Sequence, residues 1–259
     1  MGKLRLQRTL LRNLVVRDLK SRYVGSMMGL FWAVIHPLVL LLSYTFVFSV
    51  ILNMRPWSNA GTDSFAVYLF CGILPWLLFQ DTATRSATSV IEYGTLVKKT
   101  KFPVEIVPLS LFLANLLTHW IGLLILLGVL LWVQGLGWWA LLVPVYWICL
   151  LFFSVGLGWL VAVLQVFLRD TSQVLNVLMT LWFWFTPIFY PVTLIPEGYR
   201  AWMWLNPMAA IVTGYRNALL LNAPPDVFPL VTLWIISFAV FVCGGILFRV
   251  AKREFADVL

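Results

Sequence analysis

The run IVPLSLFLANLLTHWIGLLILLGVLLWVQGLGWWALLVPVYWICLLFFSVGLGWLVAVLQVFL, residues 106–168, holds 63 consecutive positions without a single Asp, Glu, Lys or Arg. A hydrocarbon core ~30 Å thick is crossed by about 20 helical residues, so this run is too long for one span and long enough for two with a connection. Gln134-Gly135-Leu136-Gly137 supplies the connection, because glycine accepts the turn backbone that ends a helix. The run is therefore a hairpin of two membrane spans. Composition agrees, with 62% hydrophobic residues, 11% charged residues and a mean hydropathy of +0.94, against ~45–50% apolar and ~25% charged in soluble domains.

The same rule sets out the rest of the chain, since each charged residue costs kilocalories at the bilayer centre and spanning segments exclude it. The other uncharged windows are 23–54, 64–80, 171–196 and 227–248, which brings the count to six spans. The first window is far longer than the ~7–15-residue apolar core of a signal peptide and is read as a retained span. With 259 residues and six spans, no second sizeable domain is expected, and residues 1–259 are read as one transmembrane domain.

Basic residues orient the spans, because Lys and Arg are held on the cytoplasmic side. Fifteen fall on one side: Lys3, Arg5, Arg8, Arg12, Arg17, Lys20 and Arg22 before span 1; Arg85, Lys98, Lys99 and Lys101 after span 2; Arg169 after span 4; and Arg249, Lys252 and Arg253 at the C-terminus. Three fall on the other side, Arg55, Arg200 and Arg216. Both termini are expected in the cytoplasm. The net charge of +8 thus reads as topology, and with no soluble basic face the chain has no expected nucleic-acid partner.

Residues 1–24 place Leu4, Leu11, Leu14 and Val15 on one helical face and Arg5, Arg8 and Arg12 on another, the pattern of an amphipathic helix lying in the membrane interface. Between spans 5 and 6, residues 190–226 include Pro191, Pro196, Pro207, Pro224 and Pro225, with apolar stretches too short to span. Such segments are tolerated at membrane depth where they pack against protein, so a re-entrant extracytoplasmic helical pair is expected there. Cys71, Cys149 and Cys243 all lie in apolar stretches without metal-ligand spacing and are read as packing residues.

Five local patterns, in order, resemble the membrane (permease) subunit of ABC-2-type polysaccharide exporters, the family that exports O-antigen, capsule and teichoic acid. They are RDLKSRYVGSMMGLFWAVIHPL (17–38), GILPWLLFQD (72–81), LVKKTKFPVEIVPLS (96–110), FLRD (167–170) and TPIFYPVTLIPEGYRAWMWLNPMAAIVTGYRNALL (186–220). The resemblance covers almost the whole chain and implies an all-α integral membrane fold in the bacterial inner membrane. It further implies two copies of this subunit, two ATP-binding-cassette ATPase subunits that carry ATP and Mg, and a lipid-linked polysaccharide as substrate, with O-antigen favoured. No G-x-x-x-x-G-K-[ST] loop is present, so ATP hydrolysis belongs to a separate chain. Gly156-Leu157-Gly158 suits close helix packing instead.

The resemblance places the ATPase-coupling element in residues 92–105. Lys98, Lys99 and Lys101, flanked by Phe102, offer a partner both charge and an apolar anchor, although a purely topogenic loop would also explain the lysines. For a sugar polymer, flat π-surfaces can hold the apolar face of a pyranose while its hydroxyls stay hydrated. Candidate channel residues are Phe31, Trp32 and Tyr44 on span 1, and Trp182, Phe183, Phe185, Phe189 and Tyr190 on span 5. Residues on consecutive helix positions turn by about 100°, so some of these face lipid or protein; Trp138 and Trp139 read as an interfacial belt. His36, before Pro37, is expected to pack around a kink, and with His119 it makes no metal site.

No catalytic constellation is visible and the chain is read as a transport subunit. A permease for drug or lipid efflux shares this topology and stays open, whereas a glycan-processing enzyme would need converging acids or histidines. In a background lacking the three native cysteines, a cysteine at Asn59 should react with an impermeant maleimide added outside the cell, and one at Thr100 should be protected. The reverse pattern would invert the topology.

Overall fold

The computed structural model of the protein describes residues 2–23, 31–58, 60–94 and 102–258, and among them every regular element is helical. After α1 (Gly2–Tyr23) comes α2 (Trp32–Tyr44), which runs on as a π-helical stretch over Thr45–Ile51. Next are α3 (Phe65–Glu92) and α4 (Ile106–Val133), then a 3-10 turn at Trp138–Leu142 that leads into α5 (Val143–Phe167), and α6 (Thr171–Phe185). Two short helices, α7 (Glu197–Met203) and α8 (Pro207–Leu219), precede α9 (Val227–Ala251) and a final turn, α10 (Phe255–Val258). Among the described residues five stretches are long and apolar enough to cross a membrane: Trp32–Ile51, Phe65–Glu92, Ile106–Val133, Trp138–Phe167 and Val227–Ala251.

Local sequence explains the helix ends. α4 stops at Val133 and Gly135 takes a left-handed φ of +80°, so the hairpin breaks where the turn-forming residues stand. Asn206 caps α8 by accepting from the backbone N–H groups of Met208 (3.1 Å) and Ala209 (3.4 Å), with Pro207 in the first helical position. The window expected to give span 5 forms only the 15-residue α6, about 22 Å long against a core of ~30 Å. Pro187 is the reason: it pushes Thr186 out of the helical region, to ψ 133°. Conversely, α3 does not end with its uncharged window at Gln80 but continues through Asp81 and Arg85 to Glu92.

α3 is the axis of the bundle. Its apolar window is 83% buried, against 6% for Trp32–Ile51, and it packs on α2, α4, α5, α6 and α8. The ends of α3, α5 and α9 and the start of α4 meet at one end of the bundle in an apolar cluster that includes Val90, Val107, Val163, Phe248 and Phe255. α1 joins α3 at this same end through Asp18 and Arg85, so the helical regions near both termini lie together. At the opposite end α8 is inserted deeply. The Tyr215 hydroxyl lies 3.1 Å from Nε2 of His119, midway along α4, whose Nδ1 is 3.2 Å from the Leu74 carbonyl. A carbonyl only accepts, so Nδ1 carries the proton and Nε2 accepts from Tyr215 in a neutral ring.

Arg216, counted in the sequence among the outside cations, is 6% exposed. Its Nη1 donates to the Pro187 carbonyl at 2.6 Å and its Nη2 donates to the carbonyls of Tyr68, at 3.3 Å, and Ile188. The guanidinium carbon lies 3.6 Å from the Tyr68 ring centroid. It therefore positions α8 rather than orienting the chain. Cys71 and Cys149 are buried as packing residues, while Cys243 stands exposed on α9.

α5 and α9 approach closely at Gly156, where an added Cβ would lie 2.6 Å from the Phe241 backbone. Close approach through glycine is what permits van der Waals packing between membrane helices. Gly156→Leu should force α5 from α9 and lower the thermal midpoint of the detergent-solubilised protein by several degrees. Gly128→Leu, at a position with open space around it, should leave the midpoint unchanged.

Candidate functional site

α2 and α6 both pack on α3, which forms the floor between them. Packing sets which side of α6 turns inward: Leu175 and Met179 are buried, and Trp182 packs its ring on Phe79 (5.2 Å between centroids) while donating from Nε1 to Asn206 Oδ1 at 2.9 Å. The opposite face, at spacings of three and four, consists of Gln173, Asn176, Thr180 and Trp184, all exposed. Thr180 satisfies itself by donating to the Asn176 carbonyl at 2.9 Å. Among the described residues the side-chain amides of Gln173 and Asn176 have no hydrogen-bond partner. An exposed amide facing lipid costs kilocalories, so this face suits water, a polar ligand or a second polar surface.

The floor contributes a charge. Asp81 is exposed on α3, and His36 of α2 is near enough for the two to interact electrostatically. α3 and α6 run antiparallel, with Trp76 against Phe183 (5.5 Å) and Phe79 against Trp182. His36 is thus not packed around Pro37 as the sequence reading expects: Pro37 is buried and His36 faces out.

A row of aromatic rings joins α2 to the segment that follows α6. Tyr44 meets Phe48 (6.1 Å), Phe48 meets Phe189 (6.4 Å), and Phe189 meets both Phe183 (5.5 Å) and Trp184, on which it stacks at 5.3 Å. The structure therefore brings together Tyr44, Phe183 and Phe189 of the candidate channel residues. Tyr190 lies alongside, its hydroxyl donating to the Trp184 carbonyl at 2.8 Å. Phe31 and Phe185 stand exposed, at 71% and 65%, as does Trp32, whereas Trp182 is turned into the bundle. The polar members Asp81, Asn176 and Gln173 were not among the candidates, although the spacing of Gln173, Asn176 and Thr180 carries the helical signal.

At the end of the bundle that holds α1, a polar cluster ties three helices. The Asp18 carboxylate of α1, 9% exposed, accepts from Arg22 Nε at 3.0 Å and from both Nη groups of Arg85 on α3, the Nη1 bond being 3.0 Å. Arg22 also donates to Asn115 Oδ1 on α4, and Asn115 Nδ2 donates to Thr82 Oγ1 at 3.0 Å. Burial pushes the Asp18 carboxyl above its ordinary value and the Arg85 guanidinium pulls against that shift. Of these residues, Arg22 and Arg85 read in the sequence only as topogenic charges. Lys98, Lys99 and Lys101 lie outside the described residues. Phe102 is half-buried and stacks on Tyr93 at 5.5 Å, and the Arg17 guanidinium lies over that same ring. No group of three His, Cys, Asp or Glu among the described residues could hold a metal ion.

Comparison with known proteins follows the same lines. The ABC-2 type transporter family model matches residues 9–220. An O-antigen export system permease protein RfbA from Myxococcus xanthus is 31% identical over 254 residues, covering 96% of this chain and 95% of the relative. One of the same description from Klebsiella pneumoniae is 30% identical over 248 residues, 94% and 92% of the two chains. The polysialic acid transport protein KpsM of Escherichia coli is 23% identical over 219 residues, 83% of each. With a matching family model over most of its length and relatives aligned nearly end to end, the chain belongs to the ABC-2 type transporter family.

Proposed function

We propose that this chain is the membrane subunit of an ATP-driven exporter of a lipid-linked polysaccharide, most closely of the O-antigen class, in the bacterial cytoplasmic membrane. The observation that carries the reading is the row of aromatic rings from Tyr44 through Phe48 and Phe189 to Phe183 and Trp184, with an exposed polar stripe on α6 beside it. The names borne by the relatives point to the same substrate class.

In this reading two copies pair across the face that bears the rings and enclose the path, as closed two-fold symmetry favours. The location of both terminal regions at one end of the bundle supports an even number of crossings, with α6 as the fifth of six. The basic residues clustered there support a cytoplasmic placement. α7 and α8 then form the re-entrant pair at the outer mouth, and the deep contact of Tyr215 with His119 supports that depth. ATP and Mg belong to two ATPase subunits that dock on residues 92–105. Force arriving there reaches the bundle along α3, and the Asp18 cluster binds α1 into the same motion.

The path itself works by shallow contacts, since a conduit needs each site weak enough to leave. Rings present a broad flat surface without a fixed hydrogen-bond pattern, so a polymer can slide from one to the next. Asn176 and Asp81 can exchange bonds with sugar hydroxyls and water at equal cost.

Replacing Tyr44, Phe183 and Phe185 together with Ala should cut surface polysaccharide per assembled transporter by about ten-fold, on the scale of 1.4 kcal/mol per decade, while Trp138→Ala leaves it unchanged. An unaltered ratio in the triple variant overturns the aromatic path. Separately, Lys98→Glu with Lys99→Glu should leave the membrane fold and ATPase activity in place but abolish the dependence of export on ATP hydrolysis. Normal export in that variant removes the lysines from the coupling surface.

A further inference from the structure

Away from the aromatic row just described, α9 and α5 leave a cleft of about 440 Å³ near the end of the bundle where α1 and α10 lie. Its walls are apolar: Trp159 of α5 on one side and Phe241, Val242 and Ile246 of α9 on the other. The Trp159 indole is fixed, donating from Nε1 to the Glu105 carbonyl at 3.0 Å and resting on Phe241 at 4.9 Å. Gly245 keeps the cleft open, because a Cβ there would already lie 3.2 Å from the Trp159 ring. Val242 and Ile246 are exposed, and Arg249 follows them on the same helical face, at spacings of four and three. Lys252 completes the rim, bound to Glu105 at 2.6 Å. One carboxylate thus answers two cations, and among the described residues Arg249 has no carboxylate partner.

From these features we infer that the cleft between α5 and α9 is a binding site for an anionic glycerophospholipid. α9 is long and apolar enough to cross the membrane, so its last turn is where acyl chains give way to headgroups. An acyl chain laid along Val242 and Ile246 meets Trp159 in place of water. Its phosphate then falls at Arg249, whose bidentate guanidinium suits a phosphate. The excess positive charge selects an anionic headgroup, a zwitterionic lipid adding a second cation where one carboxylate is already engaged. The site does not depend on the export reading, since none of its residues belongs to the aromatic row or to the polar stripe of α6.

The test uses the full-length chain in nanodiscs of phosphatidylglycerol and phosphatidylcholine, each supplied in turn with a trace diazirine-bearing acyl chain, with adducts mapped by peptide mass spectrometry. Photoadducts should concentrate on residues 241–248, with phosphatidylglycerol labelling roughly five-fold above phosphatidylcholine, as about 1 kcal/mol per basic residue implies. Arg249→Gln with Lys252→Gln, both at the rim and outside the apolar core, should equalise the two lipids. Gly245→Phe should suppress labelling by both. Equal labelling of the wild-type chain by the two lipids, or adducts spread without focus on this segment, overturns the site. Loss of the preference on adding inorganic phosphate at constant ionic strength would mark a free-phosphate site and overturn the lipid assignment. Loss of labelling when a second copy or the ATPase is bound would mark the cleft as a protein interface and do the same.

Discussion

Buried carbonyls beyond the end of a helix need donors, and the end of this protein that holds α8 is organised around a guanidinium that supplies them. Arg216 reaches from α8 to the carbonyls of Pro187 and Ile188, just past the end of α6, and rests on Tyr68 of α3. Buried polar groups persist only when paired, and a buried charge needs several partners to offset its lost hydration. This requirement ties the end of α6, the start of α3 and α8 together at one point. Asn206 reinforces it by capping α8 while holding Trp182 of α6. These bonds set where α6 ends and which of its rings turn away from the bundle.

The end of the bundle that holds α1 is tied by shared charge. There a carboxylate is shared between two arginines, and an amide passes the connection on to α4. Arg85 and Asp18 neutralise one another within the protein, on the part of α3 that continues beyond its uncharged window. The uncharged window fails as a measure of this helix, because a count of formal charges cannot show that Arg85 is paired. It fails oppositely for α6, where an uncharged window conceals a proline that stops the helix early.

What was legible followed from solvent and periodicity. The hairpin at Gly135, the close packing at Gly156 and the overall membrane class come from residue types whose cost in lipid is large and local. Aromatic density on span 5 was equally visible, but its direction was not, since Trp182 and Phe185 differ only in what each meets in three dimensions. Arg216 and the Asp18 cluster were hidden because their partners lie far away in sequence or are backbone carbonyls, which leave no mark on composition. His36 shows the reverse, a residue whose proline neighbour invited a packing role while the fold turned it outward beside Asp81.

The glycine seam between α5 and α9 divides the molecule mechanically. Where two backbones touch there are no long side chains to slide or repack, so the pair behaves as one rigid strut, and α3, buried along most of its length, is locked to it through α5. α2 has no such seam, with most of its surface outside the bundle, and α6 is held mainly by rings and two indole and amide bonds. The helices held most loosely are therefore these two, set against a frame of α3, α5 and α9, so that one side of the protein is a rigid strut and the other is free to shift.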